Sequence, residues 1–188
     1  AMHGGRLDWN VANHSELIAY YQNFIQEHPT ITRAYLYLLD NLIDDGRLNE
    51  AKTVLERRST VIEDCFNDFY RLLIHESTHG FQATCKDYDI YLKENQEWQA
   101  YFLVAGRYAS HGEYEKAIAL FEKSFELQPK PRYIDQLESI AQLYLRMHQK
   151  NEAKHAYKRE LQLLKEEWHQ DDSADVQRVK ALLAKCDG

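Results

Sequence analysis

Three glycines divide the middle of this sequence at nearly regular intervals, and each of the three is followed at a fixed distance by a small residue. In three pairs the small residue comes five positions after the glycine: Gly46 and Ala51, Gly80 and Cys85, Gly112 and Ala117. Glycine accepts the positive φ angle of a tight turn, and a small side chain lets two helices approach closely. The spacing therefore predicts a series of helical hairpins, in which each glycine separates a first helix from a second.

The segment from Trp98 to Pro129 shows this pattern most completely. Its first half places large and small apolar residues at i, i+3, i+4 and i+7, which is one face of a helix; they are Tyr101, Val104, Ala105 and Tyr108. Its second half continues the pattern with Ala117, Phe121 and Ser124. The segment closely resembles the tetratricopeptide repeat family. The resemblance implies an all-α fold, a right-handed α-α superhelix of stacked helical hairpins.

The same register extends in both directions and predicts about four hairpins with capping helices. The predicted repeats cover about 32–65, 66–97, 98–133 and 134–167. An amphipathic segment, Ser15 to His28, precedes them, and a C-terminal capping helix is predicted over 173–186. Residues 14–188 are thus predicted to form one helical domain, and residues 1–13 to be disordered or left over from cloning.

The resemblance also implies where a partner binds, because the first helix of each repeat lines a concave groove in this family. The expected peptide-binding residues are Leu36, Tyr37, Asp40, Tyr70, Arg71, Ile74, Phe102 and Leu103. The Lys and Asn residues that clamp acidic chaperone tails in some relatives are missing. The aromatic and apolar lining instead suits an amphipathic helix or an extended apolar peptide. The alternative is that these residues are part of the core.

One motif points to different chemistry. His75-Glu76-Ser77-Thr78-His79 matches H-E-x-x-H, in which two His on one helix face bind zinc and the Glu is a general base. Glu97 would be a third ligand, as in zinc peptidases that use a downstream Glu. The repeat register, however, places His79 in the turn, and a helix that ends near Ser77 would not hold both His on one face. We therefore expect no metal, no cofactor and no catalytic residue.

Composition narrows the choice of partner. The net charge of −7 over 188 residues argues against nucleic acid as a partner, because binding nucleic acid requires clustered Lys and Arg.

Three cysteines without paired spacing suggest reduced thiols, and no apolar stretch approaches the roughly 20 residues that span a membrane. A cytoplasmic location is expected.

The sequence favours a protein–protein interaction scaffold, not an enzyme, with a protein or peptide partner. Two alternatives stay open: a small zinc-dependent hydrolase, and a self-associating structural scaffold that forms a homodimer. The partner, the pathway and any further domain of a larger chain are not specified by these residues.

Overall fold

The structure is a computed structural model that describes residues 13–186. Over this range the chain forms ten α-helices and no strand, which confirms the predicted all-α class. The helices are α1 (His14–Glu27), α2 (Thr32–Asp44), α3 (Leu48–Ser59), α4 (Cys65–His79), α5 (Phe81–Glu94), α6 (Trp98–Ser110), α7 (Tyr114–Leu127), α8 (Asp135–Arg146), α9 (Lys150–Glu166) and α10 (Ala174–Lys185). Within residues 13–186, no helix combines the length and apolar composition needed to cross a membrane.

The described chain divides into two compact units, with the division between Tyr91 and Leu92 near the end of α5. The N-terminal unit contains α1 to α4 and most of α5, and the C-terminal unit contains the remainder. The division falls inside the predicted repeat 66–97. The single domain over 14–188 and the repeat boundaries stay predictions, and the prediction for residues 1–12 lies outside the described residues.

The N-terminal unit is built around the apolar face of α2. Its core residues are fully buried, as the repeat register predicts: Tyr35, Leu38, Leu39, Leu42 and Ala51. The α4 helix packs against both α3 and α2. This arrangement brings two consecutive first helices, α2 and α4, into contact.

In the C-terminal unit, small residues lie at the contacts between paired helices. Ala105 on α6 and Ala117 on α7 are fully buried, which allows the two helices to pack closely. Ala141 and Ala153 are likewise fully buried on the packed pair α8 and α9. The last helix, α10, packs against α9, and Ser173 caps it by accepting a hydrogen bond from the Val176 backbone N–H.

The α4 helix ends later than the repeat register predicts. It continues through His79, so the prediction that His79 lies in the turn is wrong. Gly80 alone connects α4 to α5; it has φ of 86° and donates its N–H to the Glu76 carbonyl at 2.7 Å. Because the connection needs a single glycine, α4 gains part of a turn and carries both His75 and His79 on regular helix.

Candidate functional site

The face of α2 assigned to ligand binding is partly open in the N-terminal unit. Leu36 and Tyr37 are half-buried, and Asp40 is exposed. The Tyr37 ring stacks on Tyr21 of α1 with 5.4 Å between ring centroids, and the Arg33 guanidinium lies 5.8 Å from the Tyr37 centroid. These contacts fix the orientation of the Tyr37 ring while part of its surface stays accessible.

Tyr70 joins α4 to this face. Its hydroxyl donates to Asp40 Oδ1 at 2.6 Å and lies 3.4 Å from the backbone oxygen of Leu36. Tyr70 is only 5% exposed, and burial together with the negative charge of Asp40 raises the pKa of its hydroxyl well above the ordinary value. Tyr70 and Leu36 occupy the same register position of their repeats. Equivalent positions of consecutive first helices are therefore in contact.

The carboxyl group of Asp40 is perturbed by this environment. Desolvation by the surrounding protein atoms raises the pKa of Asp40 to about 6. The hydrogen bond from Tyr70 opposes the rise, and the negative charge of Asp44 adds to it. Part of the Asp40 side chain nevertheless stays exposed, so its ionised form can meet a positive group on a partner.

The other two α4 candidates differ in accessibility. Ile74 is 5% exposed and belongs to the core, whereas the Arg71 side chain is 52% exposed. Arg71 forms an ion pair with Asp68 one turn earlier on the same helix. Of the three candidates on α4, Arg71 thus has the most accessible side chain.

A cleft of about 340 Å³ opens between α3 and α4. Its lining residues are Lys52, Leu55, Glu56, Arg71, Ile74, His75, Thr78 and His79. Reasoning from the sequence missed the contribution of α3, because the family resemblance assigns binding to first helices alone. The available signal was weak: Lys52 and Glu56 are spaced i and i+4 on the polar face of α3.

In the C-terminal unit, the candidates Phe102 and Leu103 lie half-buried on α6. The Phe102 ring packs edge-on against Phe121 of α7, with 5.4 Å between centroids. Phe121 is itself a core residue of the repeat. Phe102 therefore extends the core outward and keeps part of its ring accessible.

An aromatic cluster on the C-terminal unit was not predicted. The Tyr133 ring lies 5.7 Å from Trp98 and 6.2 Å from Trp168, and Tyr133 is 52% exposed. The Trp168 indole N–H donates to the Arg132 carbonyl at 2.6 Å. These rings come from three separate places in the sequence, so no local pattern brings them together.

The H-E-x-x-H segment has some features of a metal site and lacks others. His75 and His79 share a face of α4, and their rings stack with 4.1 Å between centroids. Glu76 is 6% exposed and accepts a 2.5 Å hydrogen bond from the Tyr88 hydroxyl in the interior. Glu97 is exposed just before α6, in the other unit. Among the described residues, no group of three or more His, Cys, Asp or Glu could hold a metal ion.

Comparison with known proteins identifies the repeat. Residues 99–131 match the family model of the tetratricopeptide repeat. No curated protein matches the chain. The matched segment coincides with the most regular window of the sequence and with the hairpin of α6 and α7, so the predicted resemblance to tetratricopeptide repeat proteins is confirmed.

Solved structures, two of them of proteins named as TPR proteins, share the fold. A thermophilic TPR protein of Thermus thermophilus aligns with a TM-score of 0.55 at 16% identity, over 92% of this chain and 90% of that one. The C-terminal part of a TPR repeat-containing protein of Cytophaga hutchinsonii aligns with a TM-score of 0.54 at 11% identity, over 92% and 65%. MamA of Desulfovibrio magneticus aligns with a TM-score of 0.50 at 14% identity, over 85% and 88%. The predicted fold is therefore confirmed.

Proposed function

We propose that this protein is a non-catalytic scaffold that binds a peptide or helix of a partner protein on the face formed by α2 and α4. The observation that carries the proposal is the contact of Tyr70 with Asp40 and Leu36. Since matching positions of two consecutive first helices touch, their exposed neighbours form one continuous surface. Repeat proteins bind partners on such repeated surfaces.

The chemistry of this face suggests the kind of partner. Leu36 and Tyr37 present apolar surface, and Tyr37 is a rigid aromatic anchor because Tyr21 and Arg33 hold its ring. Asp40 on α2 and Arg71 on α4 are both exposed and carry opposite charges, and Arg71 also lines the cleft between α3 and α4. A peptide with an apolar side chain flanked by a basic and an acidic residue would match the face. On the C-terminal unit, Phe102 and Leu103 supply a second apolar surface on α6.

Peptide selection tests the proposal and does not require the natural partner. A random peptide library is panned on the purified protein, and each enriched peptide is titrated against Leu36→Asp and Arg71→Glu variants. Both substitutions change the proposed face, and we expect binding to weaken at least about tenfold.

Matched controls for these variants lie on α5 of the same unit. Ile90→Asp places the same acid at a 50% exposed apolar position, and Lys86→Glu reverses an exposed charge. The proposal is supported if a peptide binds the control variants as tightly as the wild type but binds the two face variants more weakly. If no peptide is enriched, or if only the control substitutions weaken the binding of the enriched peptides, the face is not the binding surface.

A further inference from the structure

The two histidines at the end of α4 lie side by side on the surface. They are separated by one helical turn, both are exposed, and their ring planes differ by 21°. Exposed side chains at i and i+4 usually adopt independent rotamers. Here hydrogen bonds hold both rings, and those bonds determine which ring nitrogens carry protons.

In each neutral ring the proton is on Nδ1. His79 Nδ1 lies 3.1 Å from the His75 carbonyl oxygen, which can only accept a hydrogen bond. His75 Nδ1 lies 3.3 Å from Thr84 Oγ1, whose single proton is donated to the Gly80 carbonyl at 3.1 Å. The Asp87 carboxylate, 3.9 Å from His75 Nδ1, favours the same tautomer. Both Nε2 atoms therefore carry a lone pair.

Metal-binding histidines commonly show this arrangement. The ring nitrogen that does not bind the metal donates to a carbonyl or carboxylate, which fixes the tautomer and makes the other nitrogen a better ligand. The position on the helix also helps, because the free carbonyls at a helix C-terminus carry partial negative charge that favours a cation. We propose that His75 and His79 bind one Zn²⁺ or Cu²⁺ ion through their Nε2 atoms, with the remaining coordination positions taken by water.

The surroundings limit the affinity of such a site. Glu56 and Asp87 favour a cation, while Lys52 and Arg71 on the cleft wall oppose it. A metal–nitrogen bond of about 2.0–2.1 Å requires the stacked rings to tilt toward one ion. Their exposure leaves room for that tilt. The site is thus a two-ligand site, and imidazole ligands select Cu²⁺ and Zn²⁺ over Mg²⁺ or Ca²⁺.

This inference departs from the expectation of no metal, differs from the hydrolase hypothesis and does not depend on the proposed function. A hydrolase of this kind needs the Glu of the motif as a base beside the metal-bound water. Glu76 is instead buried and accepts the hydrogen bond from Tyr88. Metal binding at His75 and His79 is therefore expected without hydrolytic activity.

Calorimetric titration of the full chain with ZnCl₂ and with CuCl₂ tests the site. We expect one ion per chain, bound more tightly for Cu²⁺ than for Zn²⁺. His75→Gln and His79→Gln should each weaken binding at least about tenfold, because one imidazole cannot chelate. His155→Gln, at an exposed histidine of α9, should leave binding unchanged. Binding that survives in both site variants would overturn the proposal, as would the absence of any one-to-one binding.

Long-range ¹H–¹⁵N spectra of the imidazole rings provide a second readout that does not depend on variants. Before metal is added, His75 and His79 should show the tautomer with the proton on Nδ1, and Zn²⁺ should then shift their Nε2 signals. Nε2 signals that do not respond to Zn²⁺ would contradict the site.

Discussion

The second helices of the first and last repeats carry opposite charges at the same buried position. Arg58 on α3 and Glu160 on α9 follow Ala51 and Ala153 at the same offset, where the repeat family usually has a small residue. Arg58 is 2% exposed and Glu160 is fully buried. Burial of a charge is costly in both cases, but the two units accommodate it in different ways.

Arg58 keeps its charge and is paired. Its guanidinium donates to both Asp64 carboxylate oxygens, at 2.8 and 2.7 Å, and also to the Asn67 side-chain oxygen. An arginine does not lose its proton in proteins, so burial requires a counter-ion of matching geometry. Asp64 supplies it and also accepts a hydrogen bond from the Phe66 N–H at the start of α4.

Glu160 is less well paired than Arg58, and its pKa is raised instead. Arg178 of α10 approaches one Glu160 oxygen at 3.3 Å, but it lies closer to Glu138, at 2.8 Å. Desolvation, with a smaller contribution from the charge of Glu138, raises the pKa of Glu160 to about 7. A carboxylate can take up a proton when it is poorly paired. The comparison shows that a buried arginine needs a partner, whereas a buried glutamate can become neutral.

The largest expected effect comes from removing the partner of Arg58. Asp64→Ala leaves the buried guanidinium without its carboxylate and removes the cap of α4. We expect the free energy of unfolding to fall by about 3–5 kcal/mol, as measured by urea denaturation. A loss below about 1 kcal/mol would mean that Arg58 reaches water when Asp64 is absent.

The next effect depends on pH and concerns Glu160. Between its ordinary pKa of 4.5 and the folded value of about 7, the folded chain holds a proton that the unfolded chain has released. Wild-type stability therefore falls as pH rises through this window, whereas Glu160→Gln has no proton to lose. Urea denaturation from pH 4.5 to 8 should show the variant gaining up to about 3 kcal/mol over the wild type. A difference that does not change with pH would show that Glu160 keeps its charge.

Ser124 occupies the same position in the repeat of α6 and α7, without charge. Its hydroxyl donates to the Trp98 carbonyl at 2.8 Å and accepts from the Gln136 amide at 3.1 Å. Ser124→Ala removes a partner of the fully buried Gln136, and we expect a loss of about 1–2 kcal/mol in thermal denaturation. Ser110→Ala, at an exposed site on α6, is the control and should change little. Equal losses in both variants would argue against the buried hydrogen bonds.

The smallest effect is expected from the exposed ion pair of Asp68 and Arg71. Their side chains are 54% and 52% exposed, so water screens their attraction. Asp68→Ala should lower the free energy of unfolding by about 0–1 kcal/mol. It is measured in the same urea experiment as Asp64→Ala, whose site lies four residues before Asp68. A loss as large as that of Asp64→Ala would mean that burial does not explain the contrast.

The repeat could be read from the sequence because its determinants are local. Glycine turns, small residues at helix contacts and apolar periodicity defined the register, and the residues they assigned to the core, such as Tyr35 and Ala105, are fully buried. Arg58 and Glu160 were not predicted as buried ion sites, since charged residues are normally exposed and their partners lie elsewhere in the chain. The end of α4 was misplaced because Gly80 closes the turn alone.

The candidate site was predicted less completely. The peptide-binding role of the candidate residues stays a prediction: Leu36, Tyr37 and Arg71 are partly or largely accessible, whereas Tyr70 and Ile74 pack inside the N-terminal unit. Their burial follows from the approach of α4 to α2 and α3, which no local pattern specifies. The proton position on His75 likewise depends on Thr84 and Gly80 across the turn.

NMR titration shows whether the face of α2 and α4 binds a peptide. Backbone amide signals of the ¹⁵N-labelled protein are followed during titration with a peptide enriched by selection. We expect the largest shifts within the N-terminal unit to fall on the helical turns of α2 and α4 that carry Tyr37 and Arg71, and to disappear in the Leu36→Asp variant. Shifts centred on α5, or unchanged in that variant, would contradict it.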